Sequence, residues 1–342
     1  MKRIHQARST LYSIVILTTI RVFIMSKVGG GRNFGYGKKI TWAAKNALND
    51  RYGAGHFGTK ASHEWRWKVF ADFLKSDCNI KDARDIKKDT VAKYGDYLRQ
   101  QVDSKRMKVA YAQNLLSSVN TILSTMRKDT QLRISPSLFV GERSNVRVQS
   151  PSTLGRGELN QVLTVLESQK EHPLLLVASL CRECGLRFKE ASLLNAKSAL
   201  RQAKKDGRIN ISEGTKGGRG KRADRWVPVT PQTLKLLEAA SKLQGQNKNL
   251  IPDQHNYIQW RDHAYSQWRL ATAKTAIRGF HDLRAAYACE RYRQITGRPA
   301  PVLTDNKRTA DKELDQKARR IIALALGHGR PQVLQSYIGS AQ

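Results

Sequence analysis

Residues 324–339 read LALGHGRPQVLQSYIG and contain His328 and, nine positions later, Tyr337. On one straight helix this spacing would turn the two side chains to opposite sides, because each residue advances by about 100°. Glycines at 327 and 329 and the proline at 331 predict a break between them, since proline suits the first turn of a new helix. We therefore expect Tyr337 on a short separate helix that could deliver it to a phosphate. Taken alone, the stretch favours a simpler interpretation, a surface tyrosine and a turn histidine.

Two upstream segments contain cationic side chains that could bind the same ligand. Arg187 lies in CGLRFKEASLL, where Glu190 follows three residues later and can orient it or another basic group. His281 and Arg284, in GFHDLRAAYA, are one helical turn apart. Two guanidinium groups can hold one phosphodiester by bidentate hydrogen bonds and offset negative charge that develops on its oxygens. The H-x-x-R pattern occurs three times, and only this copy lies between the GLR segment and the final G-H…Y.

Residues 210–230 predict a β-hairpin. β-prone residues at both ends enclose a middle that is rich in glycine, lysine and arginine. Its basic side chains are expected to contact DNA backbone phosphates, which position DNA without reading its sequence. These side chains are Arg219, Lys221, Arg222 and Arg225, which share the flexible segment with Lys216.

The charge balance indicates a polyanionic partner. The 342 residues include 61 Lys and Arg against 28 Asp and Glu, for a formal net charge of +33. So large a surplus repels itself in a compact state unless phosphates neutralise it, which favours nucleic acid over a merely basic surface.

Metal and redox chemistry are not indicated. The four cysteines are too scattered for a disulfide framework, and Cys181-x-x-Cys184 lacks the second ligand pair that a zinc site needs. We expect these two cysteines to be buried in a helix, no cofactor or metal, and a reducing, intracellular setting. No phosphate-binding glycine loop or dinucleotide fingerprint is present, so phosphate chemistry would depend on side chains.

Periodicity and composition divide the chain into four segments. Residues 1–37 are expected to be a flexible leader, in which the apolar run at 11–25 is short and interrupted by Arg21. Residues 38–130 show helical stripes of apolar side chains and predict a helical domain. Residues 131–152 lose this periodicity and predict a linker, and residues 153–342 form a second domain. One stripe of the helical domain consists of Trp65, Val69, Phe70, Phe73 and Leu74, interpreted as core packing.

The ordered set of Arg187, a hairpin lysine, His281, Arg284, His328 and Tyr337 resembles the active site of tyrosine recombinases, the phage integrase family. The resemblance covers roughly residues 150–339, and the helical domain before them looks like that family's core-binding domain. It implies a mainly α fold with a small β-hairpin, in which a helical core-binding domain precedes a mostly helical catalytic domain. It also implies a site-specific recombinase that integrates or excises a mobile element and acts on double-stranded DNA attachment sites. The resemblance implies a homotetramer on DNA and a monomer free in solution, located in the bacterial cytoplasm with the nucleoid and not in a membrane.

The resemblance further implies a role for each residue. Tyr337 would attack the scissile phosphate to form a 3′-phosphotyrosyl bond, and His281 would accept its proton. Arg187, Arg284 and His328 would bind the non-bridging oxygens. Lys216 would protonate the departing 5′-oxygen, with Lys221 as its rival. Whether Tyr337 acts on its own subunit's site or a neighbour's stays open.

Two features depart from a minimal member of that family. The stretch between Arg284 and His328 is long, and a polar insertion at about 296–312 accounts for it. We expect a solvated excursion there, the alternative being a loop that contacts DNA or another protomer. The sequence also ends soon after Tyr337, so we expect the exchange of a C-terminal segment between subunits to be reduced or made by other elements.

Two alternative functions use the same residues. A type IB topoisomerase would apply them to one duplex and relax supercoils, although the two-domain layout favours a recombinase. A non-catalytic DNA-binding protein of the same fold would have no chemical reason to keep all six groups.

Overall fold

The computed structural model describes residues 30–216, 220 and 222–340 of the chain. These residues form two compact units, with the boundary between Ser144 and Asn145. Within the described ranges, no helix is long and apolar enough to cross a membrane. The apolar run at 11–25 lies outside them.

The first unit is helical. Its helices are α1 (Ile40–Tyr52), α2 (Phe57–Asp77), α3 (Lys88–Asp103), α4 (Val109–Arg127) and α5 (Pro136–Val140). Tyr94 and Leu98 on α3 and Leu115 on α4 are fully buried, as their apolar stripes predict.

The aromatic stripe of α2 is shifted from the predicted one. Trp67, Phe70 and Leu74 are fully buried, whereas Trp65 is 62% exposed. Two residues along a helix correspond to about 200° of rotation, so Trp65 and Trp67 cannot both face the core. The interpretation of Trp65 as a core residue is wrong, and Trp67 takes that place.

The glycine-rich stretch before α1 is ordered where the structure describes it. Residues Arg32–Gly35 form a 3-10 helix, and the side chain of Asn33 is fully buried. The Asn33 backbone N–H donates to Asp82 Oδ1 at 2.9 Å, and Asn33 Oδ1 accepts from the backbone N–H of Ala83 at 2.7 Å. These bonds differ from the flexible leader expected over 1–37. Residues 1–29 of that leader lie outside the described residues.

The first part of the predicted linker also folds onto the helical unit. Ile134 and Val140 are buried in its core. The side chain of Asn120 binds the backbone of Ile134 at both ends, donating to its carbonyl at 2.8 Å and accepting from its N–H at 3.2 Å. Periodicity is absent because these contacts join a loop to a helix, and no repeat of apolar residues is needed for them.

The second unit is mostly helical with one small sheet. Its helices are α6 (Gly157–Ser168), α7 (His172–Glu183), α8 (Phe188–Ser192), α9 (Ala196–Asp206), α10 (Pro231–Gln244), α11 (Tyr257–Thr272), α12 (Phe280–Thr296), α13 (Lys312–Ala325) and α14 (Gln335–Ile338). Strands β1 (Arg208–Asn210) and β2 (Trp226–Pro228) pair antiparallel, with Ile209 opposite Val227. The predicted fold class, mainly α with a small β-hairpin, is confirmed.

The polar insertion after α12 is packed against the core. Ala300, Val302 and Ala310 are at most 5% exposed and belong to the core of the second unit. Its prediction as a solvated excursion is therefore wrong. Charged residues between these apolar positions, such as Lys307 and Arg308, hide the pattern, because only widely spaced side chains turn inward.

The helical structure is interrupted before Tyr337, as the glycines and proline predict. Helix α13 ends at Ala325, a 3-10 helix spans Pro331–Leu334, and α14 follows directly. Gly327 has a φ of 70°, and a Cβ there would lie 2.9 Å from the Arg225 side chain. Glycine is required at this turn by both its backbone conformation and its neighbour.

Candidate active site

The second unit places the predicted site residues on separate elements. Arg187 precedes α8, His281 and Arg284 lie in the first turns of α12, His328 follows α13, and Tyr337 lies on α14. These residues are far apart along the sequence, so only the packing of the helices brings their side chains together.

The Tyr337 hydroxyl lies among the cationic and imidazole groups. Its oxygen is 3.3 Å from Arg284 Nε, which donates to it, and 3.1 Å from His328 Nε2. The His281 ring lies 4.9 Å from the Tyr337 ring between centroids, and the Arg284 guanidinium carbon lies 5.4 Å from the same ring. Tyr337 is 3% exposed. The surface-residue interpretation of this tyrosine is therefore wrong.

Arg284 is held rigidly. It is 1% exposed and donates to the backbone carbonyls of Gly185 and Leu326, while its Nη2 lies 3.3 Å from His328 Nε2. Burial is the main cause that lowers its pKa to about 10, and the group remains a cation at neutral pH. Its remaining donor, Nε, faces the Tyr337 hydroxyl.

Glu190 is the buried counter-charge for three arginines. It is fully buried, and its carboxylate lies 2.8 Å from Arg225 Nη1 and 3.7 Å from Arg284 Nη1. It also pairs with Arg187 Nη1 and accepts from the Arg187 backbone N–H at 2.7 Å. Burial raises the pKa of the Glu190 carboxyl, but the charges of Arg225 and Arg187 outweigh it, so the net shift is downward. The carboxylate thus fixes the arginines as one group, as its position predicts for Arg187.

Arg225 is a site residue that sequence reasoning misplaced. It is 5% exposed, and its Nε donates to the Ala325 carbonyl at 2.8 Å, at the end of α13. The expectation that Arg225 contacts a DNA phosphate is wrong, because the side chain points into the protein. Strand alternation could have found it, since Arg225 lies two residues before the buried Val227 and therefore on the same face.

His281 lies beside a second polar cluster. The neighbouring Asp282 pairs with Arg147 and accepts from Ser152 Oγ at 2.6 Å and from the Thr153 N–H at 3.3 Å. These bonds anchor the start of α12. Partial burial, and then the charge of Arg284, lowers the pKa of His281, so its ring is neutral at neutral pH.

Lys216 lies on the hairpin and is exposed. Together with Arg187, Arg225 and His328, it lines one cavity. The rival Lys221 and Arg219 lie outside the described residues.

The two cysteines of the Cys181-x-x-Cys184 motif lie in the same unit as these groups. Cys181 and Cys184 are buried, as predicted, and Cys181 lies on α7. Among the residues that the structure describes, no cluster of three or more His, Cys, Asp or Glu side chains could hold a metal ion.

Acidification should destabilise the wild-type protein more than a His328→Gln variant. Burial and the charge of Arg284 lower the pKa of His328 to about 3. A histidine in an unfolded chain titrates near pH 6.5, so between these values only the unfolded state binds the proton. The stability is fully present above about pH 6.5 and is lost as the pH falls toward 3.

Urea unfolding of both proteins at pH 7, 6 and 5 measures this effect. The difference in free energy of unfolding between wild type and variant should shift against the wild type at each step. A difference that is constant across this range would contradict the lowered pKa of His328. Carboxylate titration affects both proteins alike and cancels in the comparison.

The family match falls almost entirely in the second unit. Residues 141–290 match the family model described as Integrase. This range includes Arg187, Lys216, His281 and Arg284 and ends before His328 and Tyr337. No curated protein matches the sequence.

The fold is similar to that of a solved transposon integrase. The Tn1549 transposon integrase in complex with transposon right end DNA aligns with a TM-score of 0.56 at 10% identity, covering 87% of this chain and 94% of that chain. The same integrase with circular intermediate DNA aligns with a TM-score of 0.53 at 10% identity, covering 88% and 95%. A crystal structure of XerA recombinase aligns with a TM-score of 0.38 at 15% identity, covering 86% and 92%.

Proposed function

We propose that the chain is a site-specific DNA recombinase of the tyrosine recombinase/integrase family, which the Integrase match over residues 141–290 supports, and that it cuts and rejoins DNA through a covalent bond between Tyr337 and a phosphate. The observation that carries this proposal is the position of the Tyr337 hydroxyl, 3.3 Å from Arg284 Nε and 3.1 Å from His328 Nε2. The proposed nucleophile and the proposed phosphate-binding groups lie within hydrogen-bond distance of each other.

In the proposed cleavage step, the Tyr337 oxygen attacks the scissile phosphorus and the bond from phosphorus to the 5′-oxygen breaks. The tyrosine proton passes to His281, and Lys216 protonates the departing 5′-oxygen. The product is a 3′-phosphotyrosyl bond with a free 5′-hydroxyl. Rejoining is the reverse reaction, in which a 5′-hydroxyl attacks the phosphotyrosine and the phosphodiester is restored.

The contacts of the two histidines support the roles proposed for them. Arg284 Nε and His328 Nε2 now bind the tyrosine hydroxyl. We propose that phosphate oxygens replace the hydroxyl on these donors, with Arg187 as a third. His281 is then the remaining imidazole in contact with the Tyr337 ring. Its lowered pKa keeps it neutral and therefore able to accept a proton.

DNA is the proposed partner. The net charge of +33 favours a polyanionic partner, and the Tn1549 integrase was solved in complex with DNA. Exchange between two duplexes breaks four strands, and each protomer offers one Tyr337. A homotetramer on two attachment sites therefore supplies the nucleophiles that one full exchange needs.

Covalent capture tests this proposal and finds the DNA site at the same time. The protein is incubated with nicked duplexes of randomised core sequence, denatured, and retained on a filter with any attached DNA. Sequencing identifies the captured site, and mass spectrometry of the digested adduct should locate the DNA on the peptide that contains Tyr337. If duplexes are bound but none is attached, the enzyme proposal fails.

A plasmid with two copies of the captured site separates the two strand-transfer activities. Recombinant circles support a recombinase. Relaxation of supercoils without recombinants would instead indicate a type IB topoisomerase.

Replacing Lys216 by alanine should slow cleavage of ordinary DNA by about 100-fold, the size of a typical general-acid contribution. The defect should disappear on DNA with a sulfur in place of the scissile 5′-oxygen, because a thiolate departs without a proton. Lys221→Ala serves as the matched control and should leave both rates near wild type. If Lys221→Ala shows the sulfur-rescued defect instead, the general acid is Lys221.

A further inference from the structure

The backbone that follows Tyr337 is bound by a buried arginine of α13. Arg319 Nη1 donates to the Gly339 carbonyl at 3.2 Å, and Nη2 donates to the Ser340 carbonyl. Arg319 is 5% exposed. Its guanidinium therefore donates two hydrogen bonds to the segment directly after α14.

Arg319 is itself held in one orientation. Its Nε donates to both carboxylate oxygens of Asp315, at 3.1 and 2.9 Å. The Tyr292 hydroxyl donates to Asp315 Oδ1 at 2.7 Å. Asp315 and Tyr292 are 2% and 0% exposed. A buried ion pair whose polar groups are hydrogen-bonded in this way has little freedom to rearrange.

The polar insertion at about 296–312 contacts the same segment. Asn306 Oδ1 accepts from the Ser340 N–H at 2.8 Å. Gly339 has a φ of 87°, and a Cβ there would lie 2.7 Å from the Val302 nitrogen. Close approach of the insertion to the backbone at Gly339 thus requires glycine.

Helix α14 depends on such contacts because it is only four residues long. A helix of this length is not stable by itself, so its position is set by the segments that flank it. Before Tyr337, the Gln335 carbonyl accepts from the Arg147 N–H at 2.8 Å. After Tyr337, Arg319 and Asn306 provide the polar contacts.

We propose that Arg319 and Asn306 are positioning residues that hold Tyr337 in the active site of its own protomer, so that each tyrosine attacks the phosphate bound by the Arg187 and Arg284 of the same chain. This inference rests on the proposed function. Neither residue contacts the reacting atoms; both act through the backbone of Gly339 and Ser340.

Hydrogen exchange of the free protein tests the positioning without catalysis. Asn306→Gly removes the acceptor and tolerates the positive φ of this position, and Asn306→Asp keeps an acceptor oxygen as the matched control. Exchange in the peptide over 335–340 should become about fivefold faster in Asn306→Gly, as expected for one lost hydrogen bond, and stay near wild type in Asn306→Asp. Unchanged exchange in Asn306→Gly would overturn the proposal.

Cleavage kinetics test the effect of Arg319. In Arg319→Lys the single ammonium can pair with Asp315 but cannot also reach both carbonyls. Covalent adduct formation should fall by about 100-fold with unchanged DNA affinity, because small misplacement of a nucleophile has a large effect on rate. The exposed neighbour variant Arg320→Lys should react like wild type. An Arg319→Lys variant with wild-type cleavage and exchange would overturn the positioning role.

Mixing two inactive variants tests which protomer supplies the tyrosine. Tyr337→Phe lacks the nucleophile, and Arg187→Ala lacks a phosphate ligand. On the captured DNA, the mixture should form no adduct, whereas an adduct would show that the tyrosine attacks a phosphate on a neighbour. If wild-type protein forms no adduct on any duplex, the recombinase proposal fails, and the exchange measurement still decides whether Asn306 holds the segment.

Discussion

Replacing Tyr337 by phenylalanine should abolish covalent DNA adducts, with a loss of cleavage rate of at least about 10⁴-fold. The variant keeps the ring that contacts His281 and Arg284 and removes only the hydroxyl oxygen, the proposed nucleophile. Loss of the hydrogen bonds to this oxygen should cost about 1 kcal/mol of stability, so the protein remains folded. Adducts are measured on denaturing gels, and DNA binding of the same variant should match the wild type.

Tyr287→Phe is the matched control for this result. Tyr287 lies on α12 with Arg284, is 4% exposed, and its hydroxyl has no hydrogen-bond partner among the described residues. Burial raises the pKa of Tyr287 to about 12, which makes it a poor nucleophile. Its variant should form adducts at the wild-type rate. Adducts that persist in Tyr337→Phe would show that the nucleophile is misassigned.

Replacing Glu190 by glutamine should destabilise the second unit by about 3 kcal/mol and lower its melting temperature by about 10 °C. The substitution keeps the size of the side chain but leaves three arginines, Arg187, Arg225 and Arg284, without their shared counter-charge. Cleavage should fall as well, because these guanidinium groups repel one another out of their present positions. Thermal unfolding and adduct formation measure the two effects.

Glu183→Gln provides the comparison for a more exposed ion pair. Glu183 pairs with Arg156, whose side chain is 43% exposed. Such pairs contribute at most about 1 kcal/mol, so this variant should unfold within a few degrees of wild type. If Glu190→Gln were as stable as Glu183→Gln, the carboxylate would not hold the arginine group together.

The site was predictable where chemistry depends on residue type and short spacing. Gly327 and Pro331 indicated the break that places Tyr337 on its own helix, and this break is present. Arg187 and Glu190, three residues apart, indicated the ion pair that the structure contains. Each of these signals acts within about one or two helical turns.

Residues that act across the fold were not predictable in this way. Arg225 resembled the other cations of the hairpin, yet it donates to the carbonyl of Ala325, 100 positions later. Asn306 lies in an insertion whose polar composition indicated a solvated loop, and it binds the backbone of Ser340. Neither sequence position differs in type from its exposed neighbours.

The sequence by itself determined the mainly helical class, the order of the cationic and imidazole groups, and the helix break before Tyr337. These depend on periodicity, side-chain chemistry and backbone preferences that are local to the chain. The tertiary structure alone decided which arginine side chains are buried, among them Arg225, Arg284 and Arg319. It also decided that the pKa of His328 is about 3 and which side chains bind the backbone next to the tyrosine helix. Burial and hydrogen bonding depend on atoms from distant parts of the chain, and these become neighbours only when the helices pack.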